Sequence, residues 1–172
     1  MPTNESRLVL TTERFRVEEL TRTYDDGRQK RRSVVRHPGA VAIIPMVDDD
    51  HVCLIRNYRA SVDRVLVEIV AGTLDSGESP LATAHRELRE ETGYTAASME
   101  PLATFLLSPG ILDEQMHVFV AGGLQAGPPE RELGEEIENL VTPWPDAIAM
   151  ALDGRITDAK TIAALLLYDR RR

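Results

Sequence analysis

Residues 72–94 read GTLDSGESPLATAHRELREETGY, and the run RELREETG (86–93) places Glu87, Glu90 and Glu91 within five positions. Ser79 can cap a helix, Pro80 suits its first turn and Gly93 follows its last, so the stretch is predicted to be a loop, a helix and a turn. At about 100° per residue, Leu81, Ala84, His85 and Leu88 fall on one side, the face expected to pack on a sheet. His85 is accordingly expected to be a core or partly buried histidine rather than a catalytic one. Glu87 and Glu91 form an (i, i+4) pair about 90° round from that face, with Glu90 further on. Like charges so spaced repel by a few tenths of a kcal/mol, and acids late in a helix oppose its macrodipole. Two readings follow. One is a solvated acidic face with Arg86 and Arg89 as partners. The other is a cation site, because Mg²⁺ or Mn²⁺ takes oxygen ligands and would reverse both costs.

Outward from this helix, AVAIIPMV (40–47), HVCLIRNYR (51–59) and VLVEIVAG (65–72) read as three apolar strands. Further strands are expected at FLLS and MHVFVAGGL, and two helices at PDAIAMALDG and TDAKTIAALLLYDRRR. Ahead of them, RFRVEELTRTY, the turn Asp25-Asp26-Gly27 and RRSVVRH suggest a hairpin within residues 1–37, too small to hold a core alone. Strands interspersed with helices indicate an α/β chain of mixed α+β character, with helices packed on a mixed sheet.

Composition narrows the function classes. The 172 residues, 42% of them hydrophobic, suit one soluble domain with a small extension. No apolar run approaches membrane-spanning length, and MPTNESRLVL lacks the order of a secretory signal, so a cytoplasmic protein is expected. Twenty-eight acidic against 20 basic side chains, net −8, argue against nucleic-acid binding. RQKRR (28–32) reads as a solvated edge strand. Cys53, the single cysteine, lies in HVCLI and is expected to be a small buried hydrophobe.

The spacing in the first stretch is specific. Gly72, five residues, Glu78, seven residues, then Arg86-Glu87-Leu88-x-Glu90-Glu91-x-Gly93 resembles the signature of Nudix hydrolases. A chance match of this kind in such a chain is roughly one in 10⁵. Flanking segments (RHPG at 36–39, LIRNYR, LVEIVAGTLDSGES, LSPGILDE and GRITDAKTIAALLLY) are similar to the ADP-ribose pyrophosphatase branch, although enzymes acting on GDP-mannose share much of the frame. Tyr94 departs from the aliphatic residue usual there and is expected to serve as a packing position.

The resemblance implies an α/β/α sandwich over 38–172, with residues 1–37 as a strand extension. It implies hydrolysis of the pyrophosphate of ADP-ribose, or of another nucleoside diphosphate sugar, with two or more Mg²⁺ ions, Mn²⁺ being an alternative. A catalytically silent nucleotide-sugar sensor is a rival of another class, and the intact glutamate set weighs against it. Glu87, Glu90 and Glu91 are expected as metal ligands, joined by the Ala71 carbonyl, with Arg86 holding Glu78 and Gly72 and Gly93 permitting backbone turns. Arg59 and Arg56 are expected at the substrate phosphates, Glu114 near the terminal ribose, and Gly110 in the loop that shapes that end. In GEEIE, Glu135 matches an acidic metal contact or base. Leu133 stands where some relatives carry a glutamate base, so Glu132, Glu135, or metal and box glutamates alone remain open for that role. The family likeness also implies a homodimer in which the N-terminal strands help form the partner's pocket.

Overall fold

The protein is described by a computed structural model covering residues 3–131, 134 and 136–172. Strands β1 (Thr3–Thr11), β2 (Arg16–Thr23) and β3 (Gln29–Arg36) precede β4 (Ala40–Pro45), β5 (His51–Arg59), β6 (Arg64–Glu68) and β7 (Val70–Thr73). Helix α1 (Pro80–Thr92) is followed by β8 (Tyr94–Leu106), β9 (Gln115–Ala126), β10 (Ile137–Pro143), α2 (Trp144–Asp153) and α3 (Ala159–Asp169). The central sheet runs β7-β4-β9-β8, with β4 parallel to β9 and the other pairs antiparallel. A second sheet, β10-β5-β6, is antiparallel.

β4 shows how the layers arise. AVAIIP is buried on both faces, and side chains alternate across a strand. Ala42 and Ile44 join a cluster with Trp144, Ala147, Ala164 and Leu165 of α2 and α3. Val41 and Ile43 face the other way, into a cluster with Ala84 and Leu88 of α1. Helices on both sides of a mixed sheet make the expected α/β/α sandwich.

Three local readings are corrected. VLVEIVAG is two strands, because the chain passes between sheets at Ile69: β6 pairs with β5, and β7 pairs with β4. The strand after α1 begins at Tyr94, far ahead of FLLS; Pro101 and a register shift beside it obscure its alternation. The N-terminal segment is a three-stranded antiparallel sheet, β1-β2-β3, rather than a hairpin. β1, NESRLVLT in its body, is exposed throughout and so carries no one-sided apolar pattern. β3 is an edge strand whose basic half is exposed, as the sequence suggests.

The N-terminal sheet meets the rest of the chain near the loop before β9. Val35 N–H donates to the Ile111 carbonyl (2.8 Å), and Asp113 accepts from Arg36 Nη1 (3.0 Å) and His37 N–H (2.9 Å). Among the described residues, no helix is long and apolar enough to cross a membrane.

Candidate active site

Helix α1 opens where the sequence predicts. The Ser79 hydroxyl accepts from Ala82 N–H (3.3 Å), Pro80 occupies the first turn, and Gly93 closes the helix at φ +79°, a left-handed conformation that favours glycine. Its orientation is a correction. Leu81 and His85 are exposed, and the buried side carries Thr83, Ala84, Leu88, Glu91 and Thr92. Two polar groups explain the turn of the helix. Thr83 Oγ1 donates to Glu78 Oε2 (2.9 Å), and Glu91 Oε2 accepts from Ala71 N–H (3.3 Å), so both are buried with their hydrogen bonds satisfied.

Arg86 organises the carboxylates. Its Nη2 donates to Glu78 Oε2 (3.0 Å) and the Thr73 carbonyl (3.2 Å), while Nη1 donates to Glu87 Oε1 (2.8 Å) and Glu90 Oε2 (2.9 Å). The loop 73–78 is thereby fastened to the helix, as the resemblance implies. Hydrogen bonding to Glu78 raises the Arg86 pKa above its ordinary value, and the same contact holds the Glu78 carboxyl below the usual carboxylate range.

Gly72 does something other than turn the chain. Its φ lies outside the left-handed region, but an ideal Cβ there would fall 1.8 Å from Glu87 Cδ. The bare backbone is the space in which the Glu87 carboxylate lies.

These groups face a cavity of about 600 Å³ lined by Glu87, Glu90, Glu91, Ala71, Asn57 and Arg59. Arg86 and Gly72 also line it, as do Glu13 and Arg14 from the turn between β1 and β2. This chain's own N-terminal sheet therefore reaches its own cavity. A second cavity of about 270 Å³ shares Arg59, Ala71 and Gly72 with the first and adds Glu114, Asp158 and Lys160.

Strand alternation separates the two arginines of LIRNYR. Asn57 is buried and shares with Arg59 the face toward the cavities. Arg56 is on the other face, is largely exposed, and pairs with Glu138 of β10 (3.2 Å). Arg59 Nε and Nη2 donate to Glu68 Oε1 (2.9 Å) and Oε2 (2.6 Å). Glu114 lines the second cavity, 3.8 Å from His37 Nδ1. Gly110 is exposed in the turn before β9 and lines neither cavity. Glu132, Leu133 and Glu135 lie outside the described residues.

Glu68, Asp158 and Lys160 are not singled out by the sequence reading, although Glu68 and Lys160 carry a signal. Glu68 is a lone acid in an apolar strand, and Lys160 lies in the first turn of a helix, where a cation opposes the macrodipole. The two meet in the fold, with Lys160 Nζ 2.6 Å from Glu68 Oε2. Burial pushes the Glu68 carboxyl up, and the hydrogen bonds and charges of Arg59 and Lys160 more than reverse this, leaving it below its ordinary value.

The larger cavity is lined by carboxylates and carbonyls with no histidine or cysteine, so its candidate metal ligands are oxygens, the set preferred by Mg²⁺ and Mn²⁺. Among the described residues, the acidic side chains do not by themselves form a three-carboxylate shell, and Arg86 Nη1 pairs with both Glu87 and Glu90. The residues fit such an ion in donor chemistry, with the Glu87 carboxylate seated against the bare backbone of Gly72.

The fold and this loop-helix site define a Nudix protein. The family model described as NUDIX domain matches residues 36–165, and the chain belongs to that family. It is similar to the ADP-ribose pyrophosphatase of Bacillus subtilis (strain 168), with 39% identity over 142 residues, 81% of this chain and 77% of the relative. It is also similar to the methanol dehydrogenase activator of Bacillus methanolicus, with 41% identity over 145 residues, 81% and 77% of the two chains. A solved structure described as an ADP compounds hydrolase superposes with a TM-score of 0.85 at 26% identity, covering 98% of this chain and 92% of that one.

Proposed function

We propose that this protein is a divalent-metal-dependent hydrolase that cleaves the pyrophosphate of ADP-ribose to AMP and ribose 5-phosphate. The observation that carries the reading is the convergence of Glu87, Glu90, Glu91, Ala71 and Arg59 on one cavity. The likeness to a relative named ADP-ribose pyrophosphatase supports the choice of substrate.

In this reading Glu87, Glu90, Glu91 and the Ala71 carbonyl would hold two or more Mg²⁺ ions, or Mn²⁺. Glu135, outside the described residues, keeps the contact that the resemblance gives it. When bound, the ions supply Lewis acidity and activate water at neutral pH. Arg59 offers its planar fork to the pyrophosphate oxygens. Glu114, in the adjoining cavity, accepts hydroxyls of the terminal ribose. Arg86 keeps the glutamates of α1 and the loop carrying Glu78 in one arrangement. Hydrolysis adds water across the bridge: a new phosphorus–oxygen bond forms as the bridging one breaks.

The proposal includes a Nudix domain over 38–172, a strand extension over 1–37, a cytoplasmic location and a homodimer. Leu8, Val9 and Leu10 support the dimer, since β1 presents them half-exposed and a partner would bury them. A variant lacking residues 1–37 is expected to elute as a monomer in gel filtration.

Comparing ADP-ribose, ADP-glucose, GDP-mannose and a dinucleotide as substrates with Mg²⁺ tests the activity. ADP-ribose is expected to give the highest kcat/KM. Preference for GDP-mannose would replace the substrate, and binding of ADP-ribose without turnover of any of the four would replace the enzyme with a sensor.

A further inference from the structure

We propose that Lys160, acting through Glu68, is a positioning residue for Arg59, fixing the guanidinium that meets the substrate pyrophosphate. The inference rests on the reading of Arg59 as a phosphate-binding residue.

Glu68 is 1% exposed, yet it is surrounded by partners. Its two oxygens take the Nε–Nη2 edge of Arg59 in a bidentate pair, at 2.9 and 2.6 Å. Such a fork fixes both the distance and the plane of a guanidinium. It also reserves the Nη1–Nη2 edge for a second anion. Arg59 lines both cavities and thus stands where one bound molecule would pass from the first to the second.

A buried carboxylate facing only Arg59 would be held from one side and free to turn with the guanidinium it is meant to fix. Lys160 prevents this, because its Nζ, 2.6 Å from Glu68 Oε2, takes a share of the same carboxylate. Lys160 is itself buried and held from behind by Asp158 Oδ1 at 3.0 Å. Asp158 caps α3, accepting from Thr161 N–H at 2.9 Å. Thr161 Oγ1 in turn accepts from Ile69 N–H at 3.0 Å, at the residue where the chain leaves β6 for β7. The first turn of α3 therefore grips Glu68 twice, by its carboxylate and by the backbone beside it. Lys160 also lines the second cavity, but the role assigned here runs through Glu68 to Arg59 and needs no contact of Lys160 with substrate.

The test uses the full chain as wild type, Lys160→Met, Arg59→Ala and the double variant, with two readouts. One is steady-state hydrolysis of ADP-ribose with Mg²⁺. The other is the ¹⁵N–¹H signal of Arg59 Nε, assigned by its loss in Arg59→Ala and followed for protection from solvent exchange. Lys160→Met is expected to raise KM about ten-fold with kcat within about two-fold, the pattern of lost uniform binding, and to add less than about two-fold once Arg59 is gone. The Arg59 Nε–H is expected to lose its protection. An equal rise in KM in both backgrounds would make Lys160 merely structural and overturn the inference, as would an Nε–H signal that keeps its protection in Lys160→Met. If wild type does not hydrolyse ADP-ribose, the substrate reading fails and the Nε–H signal alone decides this inference. Should Lys160→Met not fold, Lys160→Gln, which keeps a hydrogen-bond donor but no charge, is expected to move both readouts in the same direction.

Discussion

Gly72→Ala separates the part of the site that holds the fold from the part that does chemistry. An ideal Cβ at Gly72 lies 1.8 Å from Glu87 Cδ, and ordinary contact needs about 3.5 Å, so the carboxylate must retreat by about 1.7 Å. The clashing atoms are the far end of a flexible side chain, and rotation can relieve them. The stability cost is the contact from Arg86 Nη1 to Glu87, about 1 kcal/mol, partly offset by the smaller entropy of an alanine chain when unfolded. The melting temperature should therefore stay within about 3 °C of wild type. Catalysis should suffer far more, since a group misplaced by about an ångström costs on the order of 100-fold in rate. The assay is AMP release from ADP-ribose across a Mg²⁺ titration, beside thermal unfolding of the same samples. In a Glu87→Ala background the alanine at position 72 should cost no further activity. Full activity of Gly72→Ala would refute the idea that the Glu87 carboxylate must lie against the bare strand, and a fall in Tm beyond about 10 °C would place the clash on the backbone.

Arg86→Gln leaves several carboxylates short of a cation and should cost about 2 kcal/mol in chelator, less than a fully buried pair because Arg86 is partly exposed; added Mg²⁺ should recover part of the loss in thermal unfolding. Glu68 has a folded pKa below its ordinary value near 4.5, so its stabilisation is present above that value and is lost as pH falls through the folded one. Urea titrations from pH 6 to pH 3 should show this acid limb, and Glu68→Gln should flatten it. Glu91→Gln should lower kcat by about 100-fold or more while the chain still binds ADP-ribose in calorimetry. Burial pushes the Cys53 thiol up to about 11, so a disulfide reagent at pH 8 should label it only after unfolding.

What could be read ahead of the structure depended on how local the determining physics is. The bounds of β5 and the capping of α1 are set within a few residues, and both match. The buried face of α1 did not follow from its apolar residues, because Thr83 and Glu91 are buried by partners at Glu78 and Ala71. Strand alternation is legible in LIRNYR and puts Arg56 and Arg59 on opposite faces, and of the two Arg59 lines the cavities. The motif suggests a turn at Gly72, because nothing in its neighbours tells that a glutamate fifteen positions later lies on it. Tyr94 packs beside the α1 core, as its position in the motif suggests. Lys160 and Glu68, 92 positions apart, became one unit only through the topology.

Arg86 has a consequence for the mutational paths open to this chain. One guanidinium is shared among Glu78, Glu87, Glu90 and the Thr73 backbone carbonyl, so a change at any of the three glutamates alters the balance at the others. Such sites are non-additive, and a neutral route through them one substitution at a time is narrow. Saturation mutagenesis should find these positions tolerant only in combination. A string such as RELREETG would then change as a block or hardly at all.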